Sequence, residues 1–293
     1  MNKRNFREMI ETRWSHGNFV CVGLDPEIEK LPQPFQFRHT EYSPQTVESE
    51  FVGFCKHIVQ ATADLVCAYK PNSAFFERHG EQGWQALCRI IEVIHEIAPD
   101  VPVILDAKRA DIGNSNAGYV DAAFGFLQAD AITVHPYLGA EALQPFLDQK
   151  NKGIIVLCRT SNPGAGEFQN MDVSGDVVPH PRYTQLYKYI AHRVANHWNK
   201  NGNCALVVGA TYPEELAEVR EIVGNMPILI PGVGAQGGDV EKTVRAGMDN
   251  RRQGMIINSS RGIIFASKGP DFAEAARRET EKLHNLINQY RNN

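Results

Sequence analysis

Basic charge is not in excess in this chain of 293 residues: 30 Lys and Arg stand against 34 Asp and Glu, a formal net charge of -4. A surface with that balance does not recruit nucleic acid by bulk electrostatics, so an anionic ligand has to be held by a few local groups. The six cysteines, Cys21, Cys55, Cys67, Cys88, Cys158 and Cys204, include no CxxC pair. Several lie inside apolar runs, where a reduced thiol behaves as a small hydrophobe, and the pattern fits a reducing cytoplasm. No apolar stretch approaches the roughly 20 residues needed to cross a bilayer. The opening MNKRNFREMIETRW mixes charges with scattered apolar residues, so neither secretion nor membrane insertion is expected. Low-complexity linkers and short solenoid repeats are also lacking. Hydrophobic content of 43% with 22% charged residues is ordinary for a globular protein, and the length suits one large α/β domain or two smaller ones.

What the chain does have is a rhythm. Short apolar runs bounded by Gly, Pro, Asn or Asp recur at Phe19 to Leu24, Leu65 to Tyr69, Val101 to Leu105, Ala131 to Val134, Gly153 to Cys158, Cys204 to Val208, Pro227 to Ile230 and Met255 to Ile257. Between most of them lie stretches with helical spacing. The first is signposted by Ser43 at a possible N-cap and Pro44 at the first helical position, after which Val47, Phe51, Phe54 and Ile58 repeat on one face. Similar stripes run through Trp84, Leu87, Ile91 and Ile94, through Tyr183, Leu186, Ile190 and Val194, and through Leu283, Leu286 and Ile287, and are read as core packing.

Eight strands alternating with helices predict a (β/α)8 TIM barrel, with a doubly wound open sheet as the alternative. The barrel places its active site on the loops at the C-terminal ends of the strands. Polar residues gather there: Asp25 after the first run, Lys70 after the second, Asp106 and Lys108 after the third, His135 after the fourth, Thr160 and Ser161 after the fifth, Gln236 after the seventh and Arg261 after the eighth. The segment Arg159 to Arg182, rich in Gly, Pro, Asn and Asp, is the longest irregular connection and reads as a lid or binding loop.

The most informative segment is LDAKRADIGNSN, Leu105 to Asn116. Asp106 and Lys108, two residues apart, share one face of a strand, with Asp111 just beyond it. Ions at the exit of a buried strand are costly unless paired or solvated, so packing does not account for them. PGVGAQGGD, Pro231 to Asp239, is glycine-dense between a strand and a helix, where backbone N–H groups can approach an anion. Arg261, in NSSRGI, follows the eighth strand, and barrels frequently bind phosphate between the loops after strands seven and eight. A guanidinium can grip such a group through its planar fork.

From about Phe19 to Phe265 the chain resembles the orotidine 5'-phosphate decarboxylase family. DAKRADIGNSN resembles that family's D-x-K-x-x-D-I signature, and SNPGA, GVGAQGGD and SSRG follow in the expected order. The wording of DAKRAD and NPGA is similar to the longer branch of the family. Ser115 stands where many relatives carry Thr, and Asn162 where others have His. The resemblance implies that residues 1–293 form one barrel domain with an N-terminal helical extension, acting without metal or cofactor as a homodimer with shared sites. It further implies that Lys70, Asp106, Lys108 and Asp111 form an alternating charged network, with Lys108 the proton donor and Asp106 beside the substrate carboxylate. Asp111, Ile112 and Ser115 would come from the other subunit. Asp25 and Lys70 would hold ribose hydroxyls, Ser161 the pyrimidine, and Gln236 and Arg261 the phosphate. His135, Asn72 and Asn162 receive no role.

The implied reaction is loss of CO2 from orotidine 5'-phosphate, giving UMP. It leaves a carbanion at C6 that a fixed ammonium can stabilise and then protonate. A rival within the superfamily is a sugar-phosphate decarboxylase or aldolase that uses Mg2+ with the same D-x-K-x-x-D core. Lys70 speaks against it, because an ammonium repels Mg2+ where such relatives offer a carboxylate. A silent nucleotide-binding or scaffold barrel is the other reading, since fold alone does not fix function. It gains nothing from two Asp and two Lys confined to one pocket.

Overall fold

Each apolar run forms a strand, and each strand is followed by helix. The computed structural model describes residues 4–35, 44–173, 184–233 and 237–293. In chain order the elements are α1 (Phe6–Ser15), β1 (Val20–Leu24), α2 (Pro44–Thr62), β2 (Val66–Pro71), α3 (Ala74–Glu77), α4 (Gly80–Ile97), β3 (Ile104–Arg109), and α5 (Gly113–Val120), which runs on as a π-helix over Asp121–Phe126. Then come β4 (Ala131–Val134), α6 (Gly139–Leu147), β5 (Gly153–Arg159), α7 (Gly166–Gln169), α8 (Leu186–Arg193), β6 (Cys204–Val208) and α9 (Pro213–Val223). The chain closes with β7 (Ile228–Pro231), α10 (Val240–Gly247), β8 (Met255–Ser259), α11 (Arg261–Ile264) and α12 (Phe272–Asn292). Ser43, the expected cap of α2, lies outside the described residues.

The strands pair in parallel in the order β2-β1-β8-β7-β6-β5-β4-β3. Bridges Tyr69 to Val103 and Asn72 to Asp106 join β2 to β3 and close the barrel. The molecule is therefore a single-domain (β/α)8 barrel, and the open-sheet alternative is excluded. Parallel strands covered on both faces are apolar nearly throughout, and β1, β2, β4 and β6 are buried along their whole length.

The helical stripes pack on this barrel largely as expected. Val47, Phe51, Phe54 and Ile58 of α2, Leu87, Ile91 and Ile94 of α4, and Leu283 and Ile287 of α12 are buried. In α8 the buried face lies one residue further on. Tyr187 and Ala191, followed by Val194, are buried while Leu186 and Ile190 are only partly so. Tyr187 turns inward because its ring fits the core while its hydroxyl reaches Glu218 of α9. Tyr183 lies outside the described residues.

A second departure is at β3, which starts at Ile104 and takes in Asp106, Ala107, Lys108 and Arg109. The charged pair is thus part of the strand's end and does not follow it. Pairing with β4 is interrupted between Leu105 and Arg109, so that stretch leaves the regular ladder while still running beside its neighbours.

Helix α1 covers the N-terminal end of the barrel. Its Phe6 N–H donates to Asn151 O at 2.9 Å, and the buried Arg13 guanidinium donates to Val66 O and Ala63 O at 2.8 and 2.7 Å. With that end sealed, the open end is the C-terminal face.

Candidate active site

A cavity of about 580 Å3 opens at the C-terminal face, lined from β2, β3, β5, β6, β7 and β8 and from the turns after β1, β2, β5, β7 and β8. Its floor is apolar, with Leu157, Val207 and Leu229. Its walls carry the ions.

The Asp106 carboxylate is buried and has four donors around it. Lys108 Nζ at 2.7 Å and Thr133 Oγ1 at 2.9 Å reach Oδ1, while Lys70 Nζ at 3.0 Å and Asn72 Nδ2 at 3.4 Å reach Oδ2. Burial alone opposes ionisation of Asp106, but the Lys70 and Lys108 ammoniums outweigh it and hold the carboxyl well below the usual range. Lys70 is the mirror case. Burial acts against its charge, and Asp106 together with Asp25 overcomes this and pushes the ammonium above its ordinary value. An unpaired buried ion would cost several kcal/mol. Here each ion is the condition for the other.

Lys108 sits in the left-handed region, with φ of 48°. For a residue other than glycine that conformation costs on the order of 1–3 kcal/mol and persists only where the surroundings impose it. Its backbone N–H, taken out of the ladder by the break in β3–β4 pairing, donates to Thr133 Oγ1 at 2.9 Å. The side chain emerges half-exposed into the cavity mouth with its ammonium on Asp106.

Asp25, after β1, is buried. Its Oδ1 accepts from Asn72 N–H at 3.2 Å and its Oδ2 from the Ser260 hydroxyl at 2.7 Å, tying the turns after β1, β2 and β8 together. After β5, Thr160, Ser161, Asn162 and Gln169 face the cavity. Gln169, at the end of α7, grips Thr160 twice: its Oε1 accepts from Thr160 N–H at 2.9 Å and its Nε2 donates to Thr160 Oγ1 at 2.9 Å. Arg159, almost fully buried and stacked 3.9 Å over the Tyr212 ring, anchors the root of this loop. On the far wall stand Gly232, Val233, Ser259, Ser260 and Arg261. The glycine-rich turn folds back on itself through Gly238 N–H to Gly232 O at 3.1 Å.

The cavity thus collects Asp25, Lys70, Asp106, Lys108, Ser161 and Arg261. Gln236 lies outside the described residues. Asp111, Ile112 and Ser115 do not line the cavity of their own chain. Asp111 Oδ1 accepts from Ile112 N–H at 2.7 Å, and Ile112 and Ser115 face outward. His135 does not line it either; its N–H donates to Arg109 O. Asn72 and Asn162, given no role from sequence, both line it, as do Ser260 and Asn258. Thr133 carries no signal in the sequence. A threonine inside an apolar run reads as an ordinary strand former, and only its cross-strand neighbours reveal its use.

A (β/α)8 barrel whose C-terminal cavity collects Arg261 and an alternating Lys–Asp–Lys array has the form of an enzyme site. Residues 18–278 match the model of the Orotidine 5'-phosphate decarboxylase / HUMPS family. The chain is 48% identical to orotidine 5'-phosphate decarboxylase of Ralstonia pickettii (strain 12J), over 98% of this chain and 99% of that protein. Among solved structures it resembles Leishmania donovani OMP decarboxylase, at 35% identity with a TM-score of 0.78 over 97% of this chain and 98% of that one. It also resembles Leishmania donovani UMP synthase, at 37% identity with a TM-score of 0.83, where it spans 99% of its own length and 57% of the other chain. The chain belongs to the orotidine 5'-phosphate decarboxylase / HUMPS family, and it is an enzyme.

Proposed function

We propose that this chain converts orotidine 5'-phosphate to UMP and CO2, the last step in making UMP, without metal or cofactor. The observation that carries the reading is the Asp106 carboxylate held between the ammoniums of Lys70 and Lys108, at 3.0 and 2.7 Å. In this reading the bond from C6 to the carboxylate breaks and its electron pair stays on C6. The Lys108 ammonium, already nearby, stabilises that charge and gives a proton to C6. The neutral amine then regains a proton from water. Stabilisation of this kind is strong because the donors are fixed before the charge develops. Asp25 and Lys70 would hold ribose hydroxyls, Ser161 the pyrimidine, and Arg261 with Gln236 the phosphate. Binding energy from that remote group helps the chemical step only where it is expressed in the transition state.

The same reading makes the active unit a homodimer. Ile112, at the N-cap of α5, is 65% exposed, and Tyr137, in the turn before α6, is 90% exposed with Leu138 beside it. These elements are neighbours, since Asn116 of α5 donates to Ala142 O of α6 at 2.6 Å. Large apolar side chains left in water at the edge of the open face suit an interface. Covering it with a second copy would bring the partner's Asp111, Ile112 and Ser115 towards a cavity that its own chain leaves without them. Six free cysteines, five of them buried, suit the reducing cytoplasm in which this enzyme is proposed to work.

Mixing the protein with orotidine 5'-phosphate and following the loss of substrate absorbance tests the reaction. Turnover that survives thorough chelation is expected. Turnover that returns only with added Mg2+ would favour the metal-using rival.

A further inference from the structure

We infer that Thr133 is a positioning residue that sets both Asp106 and Lys108 for the reaction, through one buried hydroxyl on β4. This rests on the proposed role of Lys108 as proton donor.

Thr133 is 1% exposed and does not line the cavity. Its Oγ1 lies 2.9 Å from Asp106 Oδ1 and 2.9 Å from the Lys108 backbone nitrogen. The polarity of the two bonds is forced. The backbone N–H can only donate and the ionised carboxylate can only accept, so the single hydroxyl proton goes to Asp106 and a lone pair receives Lys108 N–H. The two bonds therefore reinforce each other.

Along this strand the carbonyls of Val103 and Arg109 face β4 while that of Asp106 faces the turn after β2, so a regular strand would point the Lys108 N–H away from β4. The ladder breaks between Leu105 and Arg109, and the turned N–H is received by the Thr133 hydroxyl on β4. Without it that N–H has no partner on β4, and the left-handed backbone at Lys108, φ 48°, loses the contact that holds it. The Lys108 ammonium is brought onto Asp106 Oδ1 by this backbone turn, and the same hydroxyl holds that oxygen from the other side. One side chain thus fixes the distance between the carboxylate that would lie beside the leaving group and the ammonium that would protonate C6. Shifts of about 1 Å at a reacting centre can cost about 100-fold in rate.

The test compares Thr133→Val, which keeps the shape and removes the hydroxyl, with Thr133→Ser, which keeps the hydroxyl. Turnover of orotidine 5'-phosphate, affinity for UMP and thermal unfolding are measured on each. Thr133→Val should lose about 10- to 100-fold in kcat. UMP lacks the carboxylate, so its affinity should stay within about 3-fold, and Thr133→Ser should recover most of the rate. Should Thr133→Val fail to fold, Thr133→Ala serves in its place. Unchanged kcat in the hydroxyl-free variant overturns the inference. So does a fall in UMP affinity that matches the fall in kcat, or a serine variant as slow as valine, since each marks a merely structural role. A wild-type protein with no turnover would instead remove the parent reading, before any variant is made.

Discussion

A lysine at φ 48° requires something to hold it there, and at Lys108 the backbone strain and the site chemistry have the same cause. Lys108→Ala keeps a residue of L configuration in that turn and removes the half-exposed side chain beyond Cβ, the ammonium with it, so turnover should fall by about 1,000-fold or more while the melting curve stays close to wild type. Near-normal turnover would eliminate Lys108 as the acid. Arg261 stands at the opposite wall with an exposed side chain. Arg261→Ala should lower kcat/KM by about 10- to 100-fold, the weight of one charge-assisted hydrogen bond of about 1.5–3 kcal/mol, chiefly through KM. An unchanged kcat/KM would take it out of the phosphate site. Lys70, Asp106 and Lys108 were legible in the sequence because ions at the end of an apolar run are costly unless they serve one another or a ligand. Thr133 was not, because its role depends on which strand lies beside it.

Strand ends at the two faces of the barrel carry different work, and two glycines separate them. Gly209 follows β6 at the open face, where a Cβ would meet Ser161 Cβ at 2.7 Å and its backbone nitrogen at 2.9 Å. Gly209→Ala should therefore displace the loop that offers Ser161, raising KM with a smaller loss of melting temperature. Gly153 begins β5 at the closed face, where a Cβ would run into the Phe6 ring and come within 2.8 Å of Ala131 Cβ. Gly153→Ala should lower the melting temperature while kcat of the folded fraction holds, consistent with stability residing at that end of the barrel. Equal effects of both variants on KM would contradict this division. Element positions were readable from the eight apolar runs because a buried parallel strand leaves little room for polar side chains. The true start and end of β3 were not, since they follow from bridging to β2 at Asn72 and from the broken pairing with β4.

At the scale of the whole molecule, an ion pair ties the N-terminal segment to the closed end of the barrel. Asp130 is fully buried, and Arg4 grips it through Nε to Oδ1 at 2.8 Å and Nη2 to Oδ2 at 2.7 Å, with His95 Nε2 3.8 Å away and Val103 N–H donating at 2.8 Å. Burial would raise the Asp130 pKa, but these partners outweigh it and bring it down to about 2 from an ordinary 3.8. A carboxyl with a depressed folded value contributes stability that is fully present above its unfolded value and is lost as pH falls towards the folded one. That places the loss between about 4 and about 2. Arg4→Ala should cost on the order of 3 kcal/mol at neutral pH by leaving Asp130 buried without its main partner, and should move acid unfolding to higher pH. A denaturation midpoint that matches wild type at both pH 7 and pH 4 would contradict it. The proposed dimer is tested on the same scale. Ile112→Glu should shift sedimentation to the single-chain mass and lower turnover together; a fully active monomer would exclude a contribution of Asp111 across an interface.

The count and order of strands, the face on which chemistry would gather, and the identity of the charged residues there were all written into the linear chain, because burial periodicity and the cost of unpaired ions act locally. Which partners those ions have was a matter of three-dimensional closure. Lys70 and Asp106 are 36 positions apart, Thr133 and Asp106 are 27 apart, and Arg4 and Asp130 are 126 apart. Hydrogen bonds and screened charges reach only a few ångströms, so these contacts come into being when the barrel brings distant strand ends together.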